Sequence, residues 1–518
     1  MKSFFKSPVV PEGYSRTQHE RYSRLRLQVL GGAFLGYSAY YLVRKNFVLA
    51  MPDLISQGYS KTELGMALCA LSLSYGISNF VMGTFADRLD VRKLMPLCLI
   101  LSGGVSLLIG FMPILQFPLM VMVCLMALNG CMQAAGWPCS AKLIAHWFVR
   151  QERGTAMSIW SLSQNAGCGL LGPLSILALA LFCDWQSLFY FPASIAIVMA
   201  IGCYFMLRDS PQQCGLPLHS PELAEEHEIK HQRSSFRQSF RLFCQHCLKL
   251  PPIWILAVVN ACIYFVRYGV IDWAPVYLQE SKGFSFNTSS WAFFAFEYAA
   301  IPGTLICGYL SDKHFRGQRA PVNALFTTMV LISILCYWQC PAGNTTYAML
   351  SMIATGFLVY GPVMLVHVHI IDLVPLPFAA TAAGFISLFG YIFGATSANL
   401  LLGKVLDHYG WDACFELLAA ACALALILLL LLWMWENMHP NPDAPFSQQA
   451  QPATIPITTE KNSGDKKGFR RLLSAAFFPG TSAGGRSRRH CSGNKLLCRR
   501  TQYSLKTLLI YLSKRRSG

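Results

Sequence analysis

The sequence predicts an all-α integral membrane protein of about twelve transmembrane helices in two pseudo-symmetric six-helix bundles. Three observations predict it. Hydrophobic residues make up 54% of the 518 residues and charged ones only 13%, against roughly 25% charged in a soluble protein. The apolar residues come in runs of about 20, the length that crosses a bilayer core. The two halves of the chain also repeat one another.

The candidate spans are 27–52, 63–86, 94–112, 117–141, 154–183, 186–207, 252–279, 291–311, 321–340, 346–372, 378–405 and 410–436. Each is expected to be a helix, because lipid offers a backbone N–H or C=O no partner outside its own segment. Gly and Pro within several spans are ordinary in that setting. Residues 1–26 are polar and basic, with no short apolar core before a small-residue cleavage site, and predict a retained cytoplasmic segment. The first bundle covers 27–207 and the second 252–436, joined by a polar linker, 208–251, that contains HSPELAEEHEIKHQRSS. A basic tail fills 437–518.

Loop charges set the orientation. Arg88, Arg92 and Lys93 follow the second span, Arg150 and Arg153 the fourth, and Lys313, Arg316 and Arg319 the eighth. Residues 113–116 and 341–346 hold no Lys or Arg. Basic loops stay inside, so both termini and the linker are expected in the cytoplasm of a multi-pass plasma-membrane protein. The loop 373–377 carries no basic residue, although this topology places it inside.

The net charge is +17, but fifteen Lys or Arg and one acid, Asp465, lie in 461–518. The basicity therefore belongs to the tail and predicts no nucleic-acid partner. The tail's composition reads as disorder as far as 502. YSLKTLLIYLSKRR (503–516) reads either as a short helix lying on anionic lipid or as an extension without a fold. Nineteen cysteines are scattered, many in apolar spans, which suits packing better than disulfides. Cys244 and Cys247 flank His246, but a metal site would want two more ligands. No metal or cofactor is expected.

The repeat places chemistry. GTFADRLDVRK (83–93) and GYLSDKHFRGQR (308–319) set Asp87 and Asp312 four residues after a glycine, each followed by a basic residue, Arg88 in the first. YYLVR (40–44) and YFVR (264–267) match at nearly the same offset, which pairs Arg44 with Arg267. Such repeats describe transporters whose site lies between the halves near the midplane. An arginine at a helix centre costs roughly 2.5–3.5 kcal/mol, a cost kept when it faces an interior or an aqueous cavity. Two guanidinium forks fit a dianion, and phosphate matches them best. The other reading pairs each arginine with a buried acid, Asp272 or Glu297. Tyr41 and Tyr264, one turn from an arginine, join as hydroxyl donors on apolar bodies.

These residues carry a resemblance. YSAYYLVRKN (37–46), AAGWP (134–138), HWF and ERG (146–154), DSPQQCGLP (209–217), YFVRYGVIDWAPVYL (264–278), FEYAAIPGT (296–304), GFLVYGPVML (356–365) and TAAGFISLFGY (381–391) resemble the organophosphate:phosphate antiporter family of the major facilitator superfamily. Within that family the bacterial glycerol-3-phosphate transporters are the nearest match, over about residues 14 to 436. The resemblance implies exchange of an organic phosphate for inorganic phosphate, in the inner membrane of a bacterium, by a monomer in contact with lipid. It places the phosphate-binding arginines on Arg44 and Arg267. It places further site positions on Lys45, Tyr37, Tyr41, Tyr75, Trp137, Trp160, Tyr264, Tyr360, Tyr391 and His369, with Asp272 and Glu297 beside them. With Asp87, Arg88 and Asp312, those two acids are read as gate or conformational residues. Asn79 and Gln164 stand where glycerol-phosphate members carry lysine and histidine, and Ser161 where they carry asparagine. His367 is an additional histidine. The alternatives are a hexose-phosphate antiporter and a transporter-like sensor of phosphate esters. An enzyme is not expected, since neither a GxxxxGK[ST] loop nor a metal-ligand cluster is present.

Overall fold

Twelve helical spans fill the described part of the computed structural model, residues 16–115, 118–148, 150–216, 249–315, 317–374 and 379–438. The tail from 439, linker residues 217–248 with Cys244 and Cys247, Arg316, loop residues 375–378 and the side chain of Asp87 lie outside the described residues. In the first half the spans are α1 (Arg16–Leu42, then Asn46–Ser56), α2 (Lys61–Arg88), α3 (Val91–Leu115), α4 (Leu119–Gln133, then Gly136–Trp147), α5 (Arg150–Phe182) and α6 (Ser187–Met206). In the second half they are α7 (Pro251–Val276, ending in a π turn, Tyr277–Ser281), α8 (Phe286–Tyr309, ending in a π turn, Leu310–His314), α9 (Arg319–Trp338) and α10 (Thr345–Leu373). α11 follows (Ala379–Phe389, a π turn at Gly390–Ala395, then Thr396–His408), and α12 (Gly410–Met438) closes the half.

Among the described residues, ten spans are long and apolar enough to cross a bilayer by composition. α1 is interrupted at 43–45, where it carries Arg44 and Lys45, and α2 carries Ser72, Ser74, Ser78 and Asn79 along its length. Local signals start the helices: Ser60 and Glu63 form a capping box on α2, and Ser285 and Asn344 cap α8 and α10.

Helix packing shows the internal symmetry. In the first half α1 packs on α5 and α6, α2 on α4, and α3 on α4 and α6. In the second half α7 packs on α11 and α12, α8 on α10, and α9 on α10 and α12. Each second-half pair is the first-half pair with both numbers raised by six. The halves meet through α2 with α11 and α5 with α8, two contacts that exchange under the same two-fold. Small residues permit the closest crossing: a Cβ on Gly303 of α8 would lie 1.8 Å from the Phe357 carbonyl oxygen, and one on Gly356 of α10 2.1 Å from that of Phe296.

The halves are joined at the end where α2 begins and α11 finishes. The Asp407 carboxylate of α11 accepts the Lys61 N–H at 3.2 Å and the Thr62 N–H at 2.8 Å, capping the first turn of α2 from across the interface. Lys61 also pairs with Glu280 of α7 at 2.7 Å. Gly65 lies against the Asn399 backbone and Gly172 against that of Ser290. Toward the opposite end, the ion pairs Arg26–Glu152, Lys142–Asp209, Arg319 with Asp312 and Asp372, and His369–Glu436 each stay within one half. The joined end thus depends on a carboxylate at a helix N-terminus, where the helix dipole favours it. Asp407→Ala is expected to speed hydrogen exchange of the Lys61 and Thr62 amides at least roughly tenfold. Unchanged protection at both amides would remove Asp407 from this closure.

Candidate functional site

Arg44 is placed by a break in α1. A continuous helix would give the Phe47 N–H to the Val43 carbonyl. Here the Phe47 N–H donates to its neighbour Asn46 Oδ1 at 3.0 Å. The Val43 carbonyl instead accepts Asn129 Nδ2 at 3.0 Å and Gln133 Nε2 at 3.2 Å, both from α4. A buried carbonyl left without a donor would be costly, and these two amides remove that cost. The interruption places Arg44 and Lys45 at successive positions facing the second half.

The Arg44 guanidinium lies over the Tyr75 ring at 4.0 Å, with Tyr41 and Tyr391 at 5.5 and 5.7 Å. It is 3% exposed, and its Nε and Nη2 have no hydrogen-bond partner. Arg267 sits on an unbroken stretch of α7. It lies over the Tyr360 ring at 4.0 Å and donates from Nη2 to the Tyr360 hydroxyl at 3.0 Å, while its Nε has no partner. Tyr360 donates onward to Glu297 at 2.6 Å, and Glu297 also accepts Asn165 Nδ2 of α5 at 3.0 Å. Lys45 forms an ion pair with Asp272 across the halves and lies over the Tyr268 ring at 4.5 Å. A chain of rings joins the arginines: Tyr391, beside Arg44, stands 6.2 Å from Tyr268, and Tyr268 lies 5.3 Å from Arg267.

Most of the expected residues therefore meet. Tyr37 packs on Trp160 at 4.5 Å and on Tyr41 at 5.5 Å. The Tyr41 hydroxyl donates to Gln164 at 3.3 Å. Tyr75 and Tyr264 flank Tyr391 at 4.8 and 5.3 Å. Asn79, half-buried, lies one turn along α2 from Tyr75. One residue corrects the expectation. His369 is nine residues past Tyr360, about 13 Å along α10 at 1.5 Å per residue, and its Nε2 meets Glu436 of α12 at 2.5 Å. Trp137 is 45% exposed, and the backbone of its neighbour Gly136 packs on Tyr37. His367 bridges α10 to Ser387 of α11 at 3.0 Å.

The acids also divide. Asp272 and Glu297 are 1% and 2% exposed and stand at the centre beside the cations, not at a helix end. Asp312 stays at an end, bound to Arg319 within its own half, and Arg88 is exposed.

The arrangement is a buried, ring-walled cluster of cations at the interface of two equivalent halves. The Major Facilitator Superfamily model matches residues 33–398. The chain belongs to the major facilitator superfamily. A glycerol-3-phosphate transporter of Bacillus subtilis (strain 168) is 46% identical over 403 residues, covering 77% of this chain and 90% of that protein. A glycerol-3-phosphate transporter of Haemophilus influenzae is 38% identical over 447 residues, covering 80% and 92%. These relatives match the organophosphate:phosphate antiporter family. A solved bacterial homologue of the human lysosomal transporter Spinster, inward-facing and occupied, gives a TM-score of 0.62 at 15% identity over 82% of this chain and 98% of that one, which shows the shared fold alone. A major facilitator chain with such relatives is a transporter, not an enzyme.

Sequence reasoning missed Asn165, Tyr268, Asn129 and Gln133 in this major facilitator site. Tyr268 is the neighbour of Arg267, and Asn165 that of Gln164. Their signal was polarity inside an apolar span, a trait they share with many residues that only pack.

Proposed function

We propose that this chain exchanges an organic phosphate ester, foremost glycerol 3-phosphate, for inorganic phosphate by alternating access. One observation carries the reading: two buried arginines at repeat-equivalent positions present unpartnered N–H groups across the interface between halves. A guanidinium without a carboxylate partner asks for an anion, and a phosphoryl group answers two forks at once. Tyr37, Tyr41, Tyr75, Tyr264, Tyr360 and Tyr391 wall the site, and Lys45 stands ready to exchange Asp272 for a ligand oxygen.

Loop charge supports cytoplasmic termini and the bacterial relatives support an inner membrane, so the joined end faces outward and the site opens inward. Asp87, Arg88 and Asp312 lie at the inward ends, where they act when that side closes. The chain works as a monomer in lipid, and the domains are the two bundles with the linker and tail beside them.

The test is exchange from liposomes loaded with radioactive phosphate, offered a panel of esters. Glycerol 3-phosphate is expected to drive efflux. Gln164 and Asn79 are uncharged, so an ester with an added carboxylate is expected to exchange more slowly than glycerol 3-phosphate. A hexose phosphate exchanging fastest would reassign the substrate, and ligand binding without flux would make the chain a sensor.

A further inference from the structure

We infer that Asn129 and Gln133 are positioning residues for Arg44, and that the two arginines of the site are held by different means. The inference rests on the reading of Arg44 as a phosphate ligand. Asn129 and Gln133 are each 2% exposed and lie on one face of α4, four residues apart. Both donate to the Val43 carbonyl, the acceptor that the missing Phe47 N–H leaves open. The two amides hold each other: Gln133 Nε2 donates to Asn129 Oδ1 at 2.9 Å, and Ser102 of α3 donates to the same oxygen at 2.5 Å. On the far side of the break, Asn46 Nδ2 donates to Ser106 of α3 at 2.7 Å. The peptide immediately before Arg44 is thus fixed by α4, with α3 behind it, and the guanidinium that follows has buried N–H groups left for a ligand.

The second half solves the same position differently. Val266 precedes Arg267 as Val43 precedes Arg44, but α7 runs unbroken from Pro251 to Val276. Around Val266 is a small cavity lined by Cys262, Thr327, Val330 and Val359, where the first half has its amide network. Arg267 is aimed through its side chain, by Tyr360 and Glu297. Removing a donor from the α4 network frees the α1 break to re-form as helix or to shift, which turns Arg44 away. The same change leaves Arg267 in place.

The consequence is a coupling specific to one arginine. Gln133→Met roughly keeps the side-chain volume and removes the donor. Asn129→Leu provides a second variant of the same kind. Each is expected to weaken phosphate binding by roughly ten- to thirtyfold, the loss set by a buried carbonyl deprived of a donor. In double-mutant cycles either change should be strongly non-additive with Arg44→Lys, adding less than about threefold to it, and additive with Arg267→Lys. The readout is phosphate affinity by titration calorimetry on purified monodisperse transporter. Equal coupling to both arginines, or none to Arg44, would overturn the inference while leaving the site reading standing. Unaltered phosphate affinity in Arg44→Lys itself would overturn the site reading, and the positioning role with it. A loss of binding confined to Arg44 cycles in both α4 variants supports the inference, since general loosening of the bundle would register at both arginines.

Discussion

Arg44→Lys and Arg267→Lys are each expected to cut phosphate exchange at least about a hundredfold, which corresponds to about 2.7 kcal/mol. Lysine keeps the charge, so long-range attraction for phosphate survives. The fork is lost, and with it the ability to hold two phosphoryl oxygens in one plane. Hydrogen bonds to charged groups are worth about 1.5–3 kcal/mol each, so losing one or two of them accounts for the loss. Each guanidinium carbon also lies 4.0 Å from the centre of a tyrosine ring, Tyr75 for Arg44 and Tyr360 for Arg267, and a planar guanidinium can stack there where an ammonium cannot. The mechanism adds a second cost. An empty site holds facing cations in a poorly screened interior. A bound phosphate neutralises them and lets the inward ends of the halves approach, so the loaded carrier reorients and the empty one does not. In the proposed exchange, that coupling ties inward movement of an ester to outward movement of phosphate. The check is binding and exchange on both purified variants, and near-normal values in both assays would sink the paired-arginine mechanism.

Much of this was legible in the sequence, for physical reasons. Lipid forces each apolar run into helix, so the twelve spans could be read from the length of the runs. The arginine pair was legible because a buried charge is expensive and the repeat supplied a partner for it. The break in α1 was not legible. No Gly or Pro marks residues 43–45; the interruption depends on two amides from α4, more than eighty residues away in sequence. His369 entered the site through the resemblance alone, and packing places it against Glu436 of α12. Asp272 and Glu297 were read as pairing with the arginines or acting at a gate. The structure instead gives Asp272 to Lys45 and links Glu297 to Arg267 through the Tyr360 hydroxyl.

Asp272→Asn is expected to tighten phosphate binding while slowing exchange, a split that few substitutions in a binding site produce. Asp272 is 1% exposed and pairs with Lys45 from the opposite half. Arg44, Arg267 and Lys45 contribute three positive charges near the site, and Asp272 and Glu297 two negative ones. Removing the Asp272 charge leaves Lys45 free to add its ammonium to the phosphoryl group. A unit charge about 8 Å away at an effective dielectric of about 20 is worth about 2 kcal/mol, so affinity should rise by about tenfold or more. Exchange should fall for two reasons. A ligand held by three cations leaves slowly. When it does leave, the site keeps an ammonium with no counter-ion, and the buried charge opposes the closure that Lys45 and Asp272 otherwise complete between the halves. The variant is thus expected to show a lower KM and a kcat reduced by at least about tenfold, since each 1.36 kcal/mol added to a barrier is a factor of ten in rate. Phosphate affinity by calorimetry and initial exchange rates in liposomes separate the two effects. Weaker binding together with slower exchange would mean that Asp272 serves the fold of α7 rather than the charge balance of the site, and unchanged exchange would remove the Lys45–Asp272 pair from the transport cycle.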